Sequence, residues 1–209
     1  MGALDDDYFH HMYRHNPDPW DFTNRWYEER KRALTMAILP RQHFTRIFEP
    51  GCSIGNLTML LVDRCDEIIA SDLVDAAVDY ARARLADSDV NGKARFEKWS
   101  LRDRWPNESF DLIVLSEICF YLTAPELDDL LDSTCAHLNA DGVLLAAHWR
   151  HVVTDYPMTG DAVHDRLNRH HGLRSTARYA DTDVLIETFS RADTPASSVA
   201  EDEGLTSSR

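Results

Sequence analysis

The spacing of apolar positions changes several times along the chain, and each change marks an element. Ile47-Phe48-Glu49 is a short apolar run that stops at Pro50-Gly51, which predicts a strand feeding a sharp turn. A helix is expected over about 56–65 and a second strand over 67–72, ending on Asp72. Val74, Ala77, Val78, Ala81 and Leu85 then fall on one helical face. Residues 94–99 read as a third strand, and Phe110 to Ser116 is apolar on both faces, as a central strand must be. Thr123-Ala124-Pro125-Glu126 opens a helix with a capping box and a proline in the first turn. Its buried stripe is Leu127, Leu130, Leu131, Cys135 and Leu138. Asp141-Gly142 is expected to turn the chain into a strand over 143–147. A helix near 160–171 follows, then two strands over 173–179 and 183–190, joined as a hairpin by Ala180-Asp181-Thr182.

Ahead of this alternation lies an aromatic-rich segment, residues 1–45. Asn16-Pro17-Asp18-Pro19 interrupts it as a turn, and a helix over about 23–39 stops at Pro40. The segment reads as a helical lid on the main core. The tail from Asp193, rich in Ser, Thr, Ala and Glu, is expected to be disordered. Strand–helix alternation calls for an α/β fold: a Rossmann-like, doubly wound sheet, mostly parallel, with one antiparallel strand from the C-terminal hairpin. The division is a lid over 1–45, a Rossmann-like domain over 46–191 and a tail over 192–209.

Charge narrows the partners. With 22 basic and 36 acidic residues among 209, the chain carries a net charge of −14. That field repels phosphate backbones and anionic lipid, so neither nucleic acid nor a membrane is expected, and a neutral or cationic small molecule is. The four cysteines make no C-x-x-C pair, the acidic start lacks an apolar signal core, and Gly2 is followed by Asp6 where a myristoylation site needs Ser or Thr. These features point to the cytoplasm, as a monomer or homodimer.

In an open sheet of this kind, ligands sit beyond the carboxyl ends of the strands. The first strand ends in Glu49-Pro50-Gly51-Cys52-Ser53-Ile54-Gly55-Asn56. Gly51 and Gly55 remove side chains where backbone turns sharply beside a ligand. A dinucleotide fingerprint would also need glycines at positions 53 and 56, where Ser53 and Asn56 stand. Glu49 would repel a pyrophosphate but attract an ammonium, and Asp72 can accept both hydroxyls of a ribose. Together these favour S-adenosylmethionine, with S-adenosylhomocysteine as product, over a nicotinamide cofactor.

The chain resembles the class I S-adenosylmethionine-dependent methyltransferases, and more narrowly the NodS family, which N-methylates the deacetylated amino sugar of a chitooligosaccharide. The resemblance is carried by Pro19-Trp20, Tyr27-Glu28-Glu29-Arg30-Lys31, the loop from Glu49 to Gly55, Asp72, and the stretch from Phe110 to Leu122. It implies that the loop, through Glu49, Gly51, Cys52 and Gly55, holds the methionine moiety, and that Asp72 holds the ribose. Leu73 and Leu101 would sandwich the adenine, with Ser100 beside it. Glu117 would lie near the transferred methyl, and Trp20 and Tyr13 would close the lid. Trp99-Ser100 departs from the acid that many relatives place near the adenine.

For the chemistry, His148 at the end of the strand over 143–147 is the first candidate for a base or substrate-orienting group. Tyr121 and Glu117 can hold the amine or a sugar hydroxyl, and Asp155 and His164 are candidate substrate contacts. The histidines at 10, 11, 15, 170 and 171 have no cysteine or acid at zinc-like spacing, and no metal is expected in the reaction. The expected activity is N-methylation of a small amine. The alternatives are O-methylation of a secondary metabolite and a non-catalytic, cofactor-binding partner subunit.

Overall fold

The computed structural model describes residues 4–86, 92–195 and 198–206; the myristoylation reading at Gly2 and parts of the tail lie outside them. Seven strands lie in one sheet: β1 (Phe44–Pro50), β2 (Cys65–Asp72), β3 (Ala94–Lys98), β4 (Phe110–Ser116), β5 (Leu138–Trp149), β6 (Leu173–Ala180) and β7 (Val184–Arg191). Their order is β3-β2-β1-β4-β5-β7-β6. The first five run parallel, and β7 enters antiparallel between β5 and β6. The chain winds outward from β1 through β2 to β3, then returns to place β4 on the other side of β1. The strand order therefore reverses between β1 and β4, and a crevice opens beyond their carboxyl ends.

The apolar run of β4 is continuous because both faces are covered. Leu112 and Val114 pack with Ile47, Ile68 and Leu145 in one core, while Ile113 and Leu115 pack with Phe48, Ile69 and Leu144 in the other. The helices follow their sequence signals. In α4 (Asp75–Ala86) the buried residues are Ala77, Val78, Ala81 and Leu85. The predicted capping box opens α5 (Ala124–His137), with the Thr123 backbone N–H donating to Glu126 at 2.8 Å. The segment expected to form the lid holds α1 (Asp6–His15), capped by Asp5, and α2 (Trp26–Ala37).

Three boundaries differ from expectation. The helix expected over 56–65 shrinks to α3 (Thr58–Leu61) and one 3-10 turn, because Cys65 already pairs with Phe44 in β2. Asp141-Gly142 does not interrupt β5. Phe110 pairs with Leu138 and Leu112 with Val143, so residues 139–142 form a bulge inside one strand. In the tail, Val199–Asp202 forms a single helical turn, α7. The remaining long helix, α6 (Gly160–Arg169), is capped by Thr159, whose Oγ1 accepts from the Ala162 N–H at 3.1 Å. Among the described residues, no helix is long and apolar enough to cross a membrane.

Candidate active site

The loop after β1 has positive φ at three of five consecutive residues: Gly51 (73°), Ser53 (50°) and Gly55 (78°). The two glycines do different work. A Cβ on Gly51 would stand 2.4 Å from Ile118 Cγ2, on the loop that follows β4. A Cβ on Gly55 would press on Ala81 at 3.0 Å, so Gly55 lets α4 approach and does not line the pocket. Gly51→Ala combines left-handed strain with this clash and is expected to destabilise the fold by roughly 1–3 kcal/mol, read as a lowered melting temperature. Ser53 tolerates its conformation because it is tied at both ends. Its N–H donates to Asp72 Oδ2 at 3.0 Å, and its Oγ lies 2.6 Å from the Tyr13 hydroxyl on the lid helix.

Asp72 also accepts the Val74 N–H, at 3.0 Å, so one carboxylate at the end of β2 braces two loops. Glu49 at the end of β1 accepts the Thr58 hydroxyl at 2.6 Å. Both acids are buried, and burial raises both, Glu49 to about 8 and Asp72 to about 6. A single pocket runs from these acids to the lid. Trp20, Glu49, Gly51, Cys52, Asp72, Leu73, Ser100, Leu101 and Glu117 line it, as do Tyr13 and Tyr121. Asn56, noticed in the sequence only as a departure from a dinucleotide loop, also lines it, and its side-chain nitrogen is buried without a partner.

At the lid end the pocket wall is a charge cluster that crosses the chain. Glu117, at φ 57°, accepts the Lys31 ammonium at 2.7 Å through one carboxylate oxygen and the Trp149 N–H at 3.0 Å through the other. Lys31 also donates to Glu28 at 3.0 Å and lies over the rings of Phe22 and Tyr27 at 5.7 and 5.2 Å. Burial alone would lower the Lys31 pKa, but Glu117 and Glu28 outweigh it and hold the amine charged. Arg32 stands 3.9 Å from Glu28, so two carboxylates face two cations. Glu28 and Lys31 appear in the sequence only inside the motif from Tyr27 to Lys31. The spacing between Lys31 and Glu117 gives no local signal.

Three expected substrate groups lie elsewhere. His148 is fully buried and does not line the pocket. Its Nε2 accepts the Cys119 N–H at 3.3 Å, its Nδ1 meets His164 Nε2 at 3.1 Å, and His164 Nδ1 meets Glu187 at 2.6 Å. Burial, with His164 and Lys31 adding to it, holds its pKa well below the usual histidine value. A ring so desolvated, with its acceptor nitrogen already used, is not placed to take a proton from substrate. His164 belongs to the same relay, and Asp155 is exposed outside the pocket.

The methyltransferase-domain family model matches residues 47–142. A Pseudomonas syringae protein of known structure, classed as a methyltransferase, is 43% identical, with a TM-score of 0.70, over 80% of this chain and 100% of that one. The chain belongs to the class I S-adenosylmethionine-dependent methyltransferases. Within them it is NodS-like. Nodulation protein S of Rhizobium tropici is 28% identical over 50% of the chain and 43% of that protein. The N-methyltransferase NodS of Bradyrhizobium japonicum, solved with S-adenosylhomocysteine, shares the fold at a TM-score of 0.79 and 20% identity, over 90% of this chain and 100% of that one. The chain spans about half the length, or less, of the first curated relatives it matches. The pocket of this methyltransferase fits the family's cofactor on its own terms: two buried acids flank the glycine turn, and the unpartnered Asn56 amide suits the cofactor's carboxylate.

Proposed function

We propose that the protein transfers a methyl group from S-adenosylmethionine to the nitrogen of a small amine, such as an amino sugar. In this reading Glu49 binds the ammonium of the cofactor, Asn56 its carboxylate and Asp72 the ribose hydroxyls, while Leu73 and Leu101 take the adenine faces. The sulfonium supplies an activated methyl for in-line displacement. The rest of the work is positioning, which is worth on the order of 7–11 kcal/mol when reactants are held in line.

The observation that carries the choice of nitrogen is the make-up of the acceptor end. Among the described residues, none that lines the pocket is a histidine, and the Cys52 thiol is held far up by burial and by Asp72 and Glu49. An alcohol would need a base to make it nucleophilic, whereas a neutral amine carries its own lone pair. The balanced cluster of Glu28, Glu117, Lys31 and Arg32 suits an uncharged amine, with Glu117 and Tyr121 as its hydrogen-bonding partners. Glu28 and Glu117 are held in ion pairs with Lys31 and Arg32, so the proton shed on transfer leaves from the product ammonium to solvent.

Assay of the full chain with radiolabelled cofactor against amines, including deacetylated chitooligosaccharides, and against phenols and carboxylic acids tests the reading. Transfer to amines is the expected result, and transfer confined to oxygen acceptors would overturn it. The cofactor assignment has its own readout. Glu49 is raised to about 8, so binding an ammonium near neutral pH must expel its proton. Affinity for S-adenosylhomocysteine is therefore expected to climb between pH 6 and 8, approaching roughly tenfold per unit, and to flatten above. Titrations in buffers of different ionisation enthalpy count the released proton. A pH-independent affinity with no proton release would remove Glu49 from the site.

A further inference from the structure

At the edge of the sheet remote from the pocket, the fold gathers a second set of chemistry-bearing side chains. The last residue of α5 hands over to Leu138, which pairs with Phe110 at the start of β4, whereas the pocket lies beyond Ser116 at its end. Asp132 and Cys135 project from this last part of α5, three residues apart and so on one helical face. Against them sit His170, the C-cap of α6, and His171 in the link to β6. One ligand atom each from Asp132, His170 and His171 lies within 4.8 Å of the other two. His170 Nε2 is 3.1 Å from Asp132 Oδ1, and its Nδ1 is 3.8 Å from Cys135 Sγ and 3.3 Å from the Gly172 N–H. A side chain at position 172 would close this arrangement, since its Cβ would fall 2.9 Å from Cys135 Sγ and 3.3 Å from the His170 ring. The nearby cation Arg191 is engaged by both oxygens of Asp193, at 2.9 and 2.6 Å.

We propose that Asp132, His170 and His171 bind one divalent transition ion of the zinc type, which pins the end of α5 to the junction of α6 and β6. Two imidazoles and a carboxylate on one face are a ligand set zinc accepts, with ligand atoms at roughly 2.0–2.2 Å from the ion and a further position for water. Asp132 and His171 are exposed, so their side chains have room to close on an ion held against His170. Coordination through His170 Nε2 moves that ring's proton to Nδ1, so the Gly172 N–H that now donates to Nδ1 must release it, and Cys135 Sγ, 3.8 Å away, becomes the outer-shell acceptor of the Nδ1 proton. In sequence this site is invisible, because the whole of β5 and α6 separate Asp132 from His170.

The ion acts on stability and not on methyl transfer, so the test is independent of the proposed reaction. Untagged full-length protein, dialysed against chelator, is titrated calorimetrically with zinc chloride and melted with and without the ion. One zinc per chain is expected, with the melting temperature rising by about 5 °C or more at saturation. His171→Ala and Asp132→Asn, both exposed positions, are each expected to weaken zinc binding by roughly tenfold or more while melting normally without zinc. Binding of S-adenosylhomocysteine is expected to be the same in all three proteins. No uptake by the wild type at sub-millimolar zinc, or uptake that both variants retain undiminished, would overturn the proposal. The latter outcome would move the ion to another group, such as His11 and His15 on α1.

Discussion

Asp72→Ala is expected to weaken binding of S-adenosylhomocysteine at least about a hundredfold, because two hydrogen bonds to a charged group are worth roughly 1.5–3 kcal/mol each. The carboxylate holds the site in two ways. It is the acceptor expected for the ribose, and it accepts the backbone N–H groups of Ser53 and Val74. Asp72→Asn separates the two roles, since the amide keeps the volume and one acceptor but turns a donor toward one of these N–H groups. Both variants are expected to melt below the wild type, the alanine variant more so, because it leaves both donors buried and unpaired. Calorimetric titration reads the affinity and a thermal melt reads the fold. In the wild type, affinity is expected to fall as pH drops through about 6, where the buried carboxyl takes up its proton. An unchanged affinity in Asp72→Ala would show that the nucleoside lies elsewhere.

What the sequence made legible was local. The run from Phe110 to Ser116 has no polar face, so its burial between two cores could be read directly, and with it the central place of β4. The glycine turn and the acid ending β2 follow from backbone geometry and chemistry that need few neighbours. His148 shows the limit of such reasoning. Strand ends do gather site residues, but side chains alternate, and His148 shares the face of Leu144 and Ala146, which α6 covers. The next residue, Trp149, meets the site only through its backbone N–H, which donates to Glu117. The Lys31–Glu117 contact was illegible for another reason, since it joins the lid to the sheet and exists only once both have folded. The same holds for Tyr13 with Ser53, a contact between the lid helix and the glycine turn that the residues around neither of them signal.

The buried relay that displaced His148 from the catalytic role leads to the second large effect. A backbone N–H can only donate, so the Cys119 N–H fixes His148 Nε2 as an acceptor and His148 Nδ1 as a donor to His164 Nε2. His164 must then donate from Nδ1 to Glu187, whose carboxylate Asn168 also contacts. Burial pushes the Glu187 carboxyl up, but the hydrogen bonds from His164 and Asn168 and the nearby Arg178 guanidinium outweigh it and hold it below its usual value. Glu187→Ala leaves the relay without its terminus inside the core and is expected to cost about 3–5 kcal/mol, or roughly 10 °C in melting temperature. Glu187→Gln keeps an acceptor for His164 Nδ1 and is expected to lose only about 1–2 kcal/mol. In the wild type the unfolded chain protonates His148 near pH 6.5 while the folded chain does not, so stability falls as pH drops below that point, by up to ~1.4 kcal/mol per unit. Below the ordinary glutamate range Glu187 adds to the loss with the same sign. Because the relay ends on the Cys119 N–H, two residues after Glu117, its failure should also reach the site: Glu187→Gln is expected to lower methyl transfer while leaving the affinity for S-adenosylhomocysteine unchanged. Equal melting of the alanine and glutamine variants would show that the carboxylate's place at the end of the relay does not hold the core together.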